Sequence, residues 1–392
     1  MTKDVGNDVR RLRVDKRATA MLTWLDLVGW PSFSERTPAQ ARSDYQVLIA
    51  ATSRWGLVRS RKDTIAEREG FPGVPVRVYW PLRRDNSGDA MPIVVWYHGG
   101  GFVVGDLFTA DSTCRKLSAR SRAIVVSVDY RRAPEHPVPA AQHDAVTAAR
   151  WAFEHAGQLG GDPNRIVLAG DSAGGALAAH VAQHLRDHTD RAAALQVLVY
   201  PATDFTLQHA DRNAALAQLI TWDTVEWFAC QAMPGVDRTD PVVSPYFVPS
   251  CTGLPAAYIV TAGIDSFRSD ALAYRDRLVE DGVQVTHVNY RGQVHGFVDM
   301  DLIFPAGAKA IRDVGRVIRN VRPVSARLEP DRGGAIRWGP PSAVARRVLL
   351  ENTVRNPGIN TARIMSTLAD QHWRNIIRAL EASPSTRLQV RS

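Results

Sequence analysis

Residues 165–176 read Arg165-Ile166-Val167-Leu168-Ala169-Gly170-Asp171-Ser172-Ala173-Gly174-Gly175-Ala176. A short apolar run, Ile166 to Ala169, ends in Gly170-Asp171-Ser172-Ala173-Gly174, which matches G-x-S-x-G, and small residues continue at Ala176, Ala178 and Ala179. The pattern predicts a buried strand, a sharp turn, and a helix over Ala173 to Leu185 packed closely on the sheet. Such a turn strains its central residue and drives that side chain into the open. Gly170 and Gly174 carry no side chain where the strand and helix backbones approach. Ser172 then stands at the helix N-terminus, where unpaired N–H groups and the helix dipole favour a developing oxyanion. Alone, the pentapeptide also fits an ordinary glycine-rich turn, so its meaning depends on the rest of the chain.

Upstream, Ile93 to Tyr97 is a continuous apolar run of the kind a strand buried on both faces shows. It ends in His98-Gly99-Gly100-Gly101-Phe102. Further strands are expected at Val74 to Trp80, Ala123 to Val128, Val197 to Tyr200, Tyr258 to Thr261 and Val283 to Tyr290, with a turn at residues 83–88. Helices are expected at Ala110 to Arg120, Ala140 to Gly157, Ala271 to Val279 and Pro305 to Arg319. This alternation predicts an α/β fold with a doubly wound, mostly parallel sheet. In such sheets ligands bind at the carboxyl ends of the strands. Ser172, the triple glycine, Asp265 and His295 all follow strand ends, which places them on one edge.

Two stretches break the rhythm. Val5 to Arg59 reads as amphipathic helix, with a second helix over Ala39 to Ala51. From Ala202 to Val248 the strands stop and Trp222, Val225, Trp227 and Phe228 fall in a helical segment. Both stretches fit a lid over a pocket as well as helices docked on the core. Trp222 and Trp227 are candidates for the pocket wall or for simple packing. The expected organisation is a helical lid over 1–60, a core over 61–322 with a second lid segment over 202–248, and a C-terminal extension over 323–392. Residues 323–341 read as a linker, and Ser342 to Val354 and Asn360 to Leu380 as two helices of unassigned role.

Composition limits the function classes. The net charge is +8, but the basic residues are scattered, apart from Arg10, Arg11, Arg13, Lys16 and Arg17 and the C-terminal extension, and are not interleaved with aromatics. Nucleic-acid binding is therefore not expected. Cys114, Cys230 and Cys251 are odd in number and far apart, so neither a disulfide framework nor a zinc site is indicated and a cytoplasmic setting is expected. Met21 to Trp30 is interrupted by Asp26 and closed by Pro31, unlike a signal peptide, and no run is long enough to span a membrane. His180, His184 and His188 are spaced four apart, but no H-E-x-x-H or further ligand accompanies them, so no metal is expected. No G-x-G-x-x-G follows a strand, and no cofactor is implied. Dimers through helices or through an edge strand stay open.

A serine hydroxyl needs a base to act as a nucleophile near neutral pH, and the base needs a carboxylate to orient it. Ser172, Asp265 and His295 occur in that chain order, as in α/β-hydrolase triads. Backbone N–H groups of Gly100, Gly101 and Ala173 are the candidate oxyanion donors. His98, Gly99, Gly170, Asp171 and Gly174 are expected to support the two turns, with His98 bonding the loop rather than titrating.

On His98-Gly99-Gly100-Gly101-Phe102, Asp129-Tyr130-Arg131, Ala133-Pro134-Glu135-His136-Pro137, Gly170-Asp171-Ser172-Ala173-Gly174-Gly175, Ser244-Pro245 and His295-Gly296-Phe297, the chain resembles the hormone-sensitive-lipase-like carboxylesterases of the α/β-hydrolase fold. The resemblance runs from Ala39 to Asn320. It implies hydrolysis of short- to medium-chain acyl esters, no metal, and a lid from the two helical stretches. An amidase or specialised deacetylase would use the same residues, whereas a non-catalytic ligand-binding protein on the same fold would be marked by loss of the histidine, and His295 is present. An interaction protein working through its basic C-terminal extension is a further alternative. One departure stands out: the family's Asp-Pro-Leu is Asp265-Ser266-Phe267 here. That leaves Asp270 and Asp301 as rivals for the acid.

Overall fold

A computed structural model describes residues 14–82, 90–211 and 219–324. The turn expected at 83–88 and the two helices expected after residue 341 lie outside the described residues.

Eight strands form one sheet in the order β1-β2-β4-β3-β5-β6-β7-β8. They are β1 (Ser60–Arg68), β2 (Phe71–Trp80), β3 (Met91–Tyr97), β4 (Ile124–Val128), β5 (Gly161–Asp171), β6 (Leu195–Val199), β7 (Ala257–Ile264) and β8 (Val285–Val294). Strands β3 to β8 pair in parallel, and β1 and β2 join as an antiparallel hairpin against β4. β3, β4, β6 and β7 are buried at every position, as their largely apolar sequences predict, with Ser127, Gln196 and Thr261 the polar residues among them.

Helices α1 (Lys16–Leu27), α2 (Pro38–Thr52), α3 (Asp111–Ser121), α4 (Ala140–Glu154), α5 (Ala156–Leu159), α6 (Ala173–His188), α7 (Trp222–Ala232), α8 (Arg268–Glu280) and α9 (Pro305–Arg319) accompany the strands. Alternate residues of β3 enter opposite cores. Ile93, Val95 and Tyr97 join one core with α4 and α6, while Val94 and Trp96 join the other with α3 and α9. Two helical layers around a parallel sheet follow directly from that alternation.

The first strand departs from expectation. β1 carries Arg61, Lys62, Asp63, Glu67 and Arg68, and only Ala66 is fully buried. A charged strand at the sheet edge has no apolar run to reveal it, and its charges resist pairing with another chain. The helical stretch before it is two helices, separated by the Trp30-Pro31 break and a short turn at Phe33–Glu35. Proline cannot continue the helical hydrogen bonding, so α1 stops before it.

Helix α2 is pinned across the carboxyl ends of the strands. The Arg42 guanidinium donates to the carbonyls of Val103 (2.8 Å) and Ala133 (2.7 Å) and to Glu135 (2.8 and 2.6 Å). Gln46 Nε2 donates to Asp106 at 2.5 Å. At the other end of the helix, Leu302 N–H donates to the Thr52 carbonyl at 2.9 Å. These contacts join α2 to the loops after β3, β4 and β8, over the edge where the chemistry is expected.

Candidate active site

Strand β5 ends at Asp171, and Ser172 follows at φ 54 and ψ −122 before α6 begins. A non-glycine residue at positive φ costs on the order of 1–3 kcal/mol and persists only where its surroundings fix it. Here Ser172 N–H donates to Val199 of β6 at 2.9 Å, and its carbonyl accepts from Ala176 and Ala202. The turn is held from both sides. A Cβ on Gly174 would run into the carbonyls of Tyr97 and His98, so only glycine lets α6 approach β3 this closely.

Ser172 Oγ lies 2.9 Å from His295 Nε2, in the loop after β8. His295 Nδ1 lies 2.8 Å from Asp265 Oδ2, in the loop after β7. Asp265 is buried, and its Oδ1 accepts from Phe267 N–H at 2.9 Å. The geometry fits Nδ1–H donating to the carboxylate and Ser172 O–H donating to Nε2. Residues 123 and 30 positions apart in sequence thus meet in one line.

The rival acids lie elsewhere. Asp270 is fully buried and accepts from Thr203 N–H (2.8 Å), Thr203 Oγ1 (2.5 Å) and Asp204 N–H (3.2 Å). Burial pushes its carboxyl up to about 7 against those donors. Asp301 accepts from Arg54 N–H at 2.9 Å and Lys116 Nζ at 2.7 Å. The Ser266-Phe267 departure leaves Asp265 on the histidine, and Phe267 places its ring 5.6 Å from the imidazole.

The glycine loop faces the serine across an apolar cavity. Gly100 and Gly101 take φ +117 and +57, and with Ala173 they line that cavity. Among the described residues no protein acceptor takes the N–H of Gly100, Gly101 or Ala173. Gly99 N–H, in contrast, donates to Asp171 Oδ1 at 2.9 Å. His98 closes the loop on itself: Nδ1 meets the Gly99 carbonyl at 2.8 Å, and the ring stacks on Tyr130 at 4.2 Å. Burial pushes this imidazole down to about 4, so it is neutral near pH 7. Tyr130 O–H donates to the His98 carbonyl at 2.7 Å.

The cavity holds about 400 Å³, within the usual size of a small-molecule site. Leu22 and Leu25 of α1, Phe33 of the short turn, Tyr45 and Ile49 of α2, and Val225 and Phe228 of α7 form much of its wall. Trp222 and Trp227 are not part of that wall. The cavity-facing side of α7 carries Val225, Phe228 and Ala229, and Trp227 stands edge-on to Phe228 at 5.2 Å. Phe228 packs on Phe33 at 5.6 Å, and Ser32 Oγ meets Thr224 Oγ1 at 3.1 Å, so the two helical stretches close on each other.

A Cβ on Gly101 would collide with the Phe228 ring. G101A is therefore expected to lower kcat/KM by about 10²-fold, the order seen when one oxyanion donor is lost. Steady-state kinetics beside an unchanged far-ultraviolet circular dichroism spectrum check this.

Two contributors escaped the sequence. Tyr200 directly follows β6 at φ 35, with its ring 4.7 Å from His295. Asp299 lies four residues after His295 and reaches Asp171 beneath the glycine loop. Only their place just beyond strand ends, or beside a motif, hinted at either.

The chain is similar to known proteins in both sequence and fold. Residues 94–299 match a family model described as alpha/beta hydrolase fold. Carboxylesterase NlhH of Mycobacterium tuberculosis is 43% identical over 249 residues, covering 62% of this chain and 76% of that protein. Esterase LipI of the same organism is 42% identical over 245 residues, with 61% and 76% covered. Among solved structures, an ester hydrolase from the metagenome of Lake Arreo superposes with a TM-score of 0.73 at 34% identity, covering 78% of this chain and 98% of that one. The hyperthermophilic esterase of Pyrobaculum calidifontis gives a TM-score of 0.71 at 32% identity, with 79% and 98% covered. With its fold, its aligned serine, histidine and aspartate, and these likenesses all in agreement, the chain belongs to the hormone-sensitive-lipase-like carboxylesterases of the α/β-hydrolase fold.

Proposed function

We propose that the protein hydrolyses carboxylic esters of short to medium acyl length, with Ser172 as nucleophile, His295 as general base and acid, and Asp265 as the group that orients the histidine. The observation that carries this reading is the line Ser172 Oγ–His295 Nε2–Asp265 Oδ2, at 2.9 and 2.8 Å, at the wall of an apolar cavity.

In the first half-reaction His295 Nε2 takes the Ser172 proton as Oγ attacks the ester carbonyl. Asp265 holds the Nδ1–H tautomer and stabilises the imidazolium that forms. The carbonyl oxygen, now an oxyanion, is received by the N–H groups of Gly100, Gly101 and Ala173. His295 returns the proton to the departing alcohol and an acyl-serine remains. In the second half, water gives a proton to Nε2 as it attacks the acyl carbon, and when the acyl–Oγ bond breaks Nε2 passes that proton to Ser172 Oγ, releasing the acid and restoring both residues. No metal is needed to activate the nucleophile. Among the described residues, no three or more His, Cys, Asp or Glu gather where they could hold one.

Residues 1–60 and 202–248 are read as the lid, since the described parts of both wall the cavity. The setting we assign is the cytoplasm, on three free thiols, of which Cys230 is exposed. No helix among the described residues is long and apolar enough to cross a membrane. The partner is a small ester. A homodimer would use helices or a sheet edge such as β8, and sedimentation would report it.

An acyl series of p-nitrophenyl esters tests the substrate class. The apolar area of each added CH₂ contributes about 0.8 kcal/mol while it can be buried. The expected kcat/KM therefore rises from acetate to a maximum at an intermediate chain and falls once the cavity is full. A steady rise to the longest chains would contradict the reading.

A further inference from the structure

Beneath the glycine loop, the side chains of Asp171 and Asp299 are in hydrogen-bond contact. Both are buried, and both border the cavity. Each belongs to a different part of the machinery. Asp171 immediately precedes Ser172. Asp299 follows His295 by four residues, in the same loop. Asp171 Oδ1 also accepts the N–H of Gly99 at 2.9 Å, directly before the two glycines assigned to the oxyanion. A Cβ on Gly99 would collide with Asp171 Oδ2, so the loop rests closely on this carboxyl.

We propose that Asp171 and Asp299 form a proton-sharing pair that positions the oxyanion loop, the nucleophile turn and the histidine loop against one another. The proposal rests on the ester-hydrolase reading of the site, and both are positioning residues. Two buried carboxyls in contact cannot both be ionised without strong repulsion, so one proton holds them together.

The donors around the pair locate that proton. Asp299 Oδ1 accepts from Thr113 Oγ1 at 2.7 Å and Oδ2 from Tyr200 O–H at 3.3 Å, with the Lys116 ammonium nearby. Burial raises the Asp299 carboxyl too, but those groups work against it, and Asp171 has fewer such partners. Among the described residues Asp171 pairs with no cation, and beyond the partner carboxyl the donor its carboxyl takes from another residue is the Gly99 backbone N–H. With Oδ1 engaged there, Oδ2 is left to carry the proton and donate it to Asp299. Burial, then the charge of Asp299, holds the Asp171 carboxyl well above the usual range.

The other charged and titratable groups facing the pair are few. Tyr45 comes from α2, Cys114 and Lys116 from α3, and Tyr130 and Tyr200 from the loops after β4 and β6. Asp301 completes the set from the His295 loop. Burial holds Tyr45, Tyr130, Tyr200 and the Cys114 thiol neutral over the working range, so none adds a negative charge beside the pair.

When the pair loses its proton to solvent, two carboxylates face each other and must separate. Gly99 is hydrogen-bonded to one of them, Ser172 adjoins Asp171 in the chain, and His295 lies four residues before Asp299. The oxyanion donors then leave their places, and displacements of about 1 Å can cost about 10²-fold in rate.

The test is the pH dependence of kcat from about pH 5 to about pH 10, corrected for spontaneous ester hydrolysis. Wild-type enzyme is expected to lose about tenfold or more in kcat on the alkaline side, with KM changed less. In D171N the carboxamide oxygen accepts from Gly99 and its NH₂ donates to Asp299 without titrating. In D299N the repulsion has no second charge. Each variant is expected to lose the alkaline limb, and the same limb should appear, and vanish, in the rate of inactivation by a p-nitrophenyl phosphonate. If D171N does not fold, D299N carries the same test. An alkaline limb unchanged in the variants, or no limb in a wild-type enzyme that S172A silences, overturns the proposal and leaves the esterase reading intact. A wild-type protein that turns over no ester overturns that reading instead.

Discussion

S172A is expected to lose about 10⁵–10⁶-fold in kcat on a p-nitrophenyl ester, close to complete removal of the enzymatic chemistry. The size follows from the role. Without Oγ no acyl-enzyme can form, and His295 has no nucleophile 2.9 Å from Nε2 to activate. What survives is the binding of the ester in the cavity and the pull of the N–H donors, together worth about 10³–10⁴ over water in comparable sites. H295A should fall as far, and the double variant no further, because the two act in one step. KM should move little, since neither atom is needed to hold the acyl chain. Initial-rate kinetics on purified protein, with a folded circular dichroism spectrum as control, give the comparison.

D265N is the second large effect, expected at about 10⁴-fold in kcat. Asn can offer its NH₂ to His295 Nδ1 and so favour the tautomer with the proton on Nε2, which cannot take one from Ser172. The surroundings favour that outcome: Asp265 Oδ1 is already engaged by Phe267 N–H at 2.9 Å, which leaves Oδ2, at 2.8 Å, for the histidine. D270N should differ sharply. Its carboxyl serves Thr203 and Asp204, away from the imidazole, and turnover should stay within about tenfold of wild type. D301N removes partners of Arg54 and Lys116 rather than of the histidine. A D265N enzyme near wild-type rate, with D270N inactive, would reverse the assignment.

How much of this was written plainly in the sequence depended on what each residue does. The central strands were legible because a strand buried on both faces needs an unbroken apolar run, and Ile93 to Tyr97 is one. Pro305–Arg319 was legible from end to end because proline opens it and its apolar positions recur on one face. β1 was hidden because an edge strand can be as charged as a loop. The serine, aspartate and histidine were visible as residues that follow strand ends, although nothing local in the chain says that positions 172, 265 and 295 touch. The cavity wall was less visible. Of two tryptophans and one phenylalanine on α7, the phenylalanine faces the cavity, a choice set by how α7 turns against Phe33. The Asp171–Asp299 contact is a tertiary event between two loops, and no spacing in the sequence encodes it.

The most direct measurement of the central claim is intact-protein and peptide mass spectrometry after treatment with a p-nitrophenyl phosphonate, on wild type and S172A. The expected result is one phosphonyl group per chain, on the peptide containing Ser172, released with one equivalent of p-nitrophenol, and no addition to S172A. Stoichiometric labelling at another residue, or labelling that persists in S172A, would contradict it.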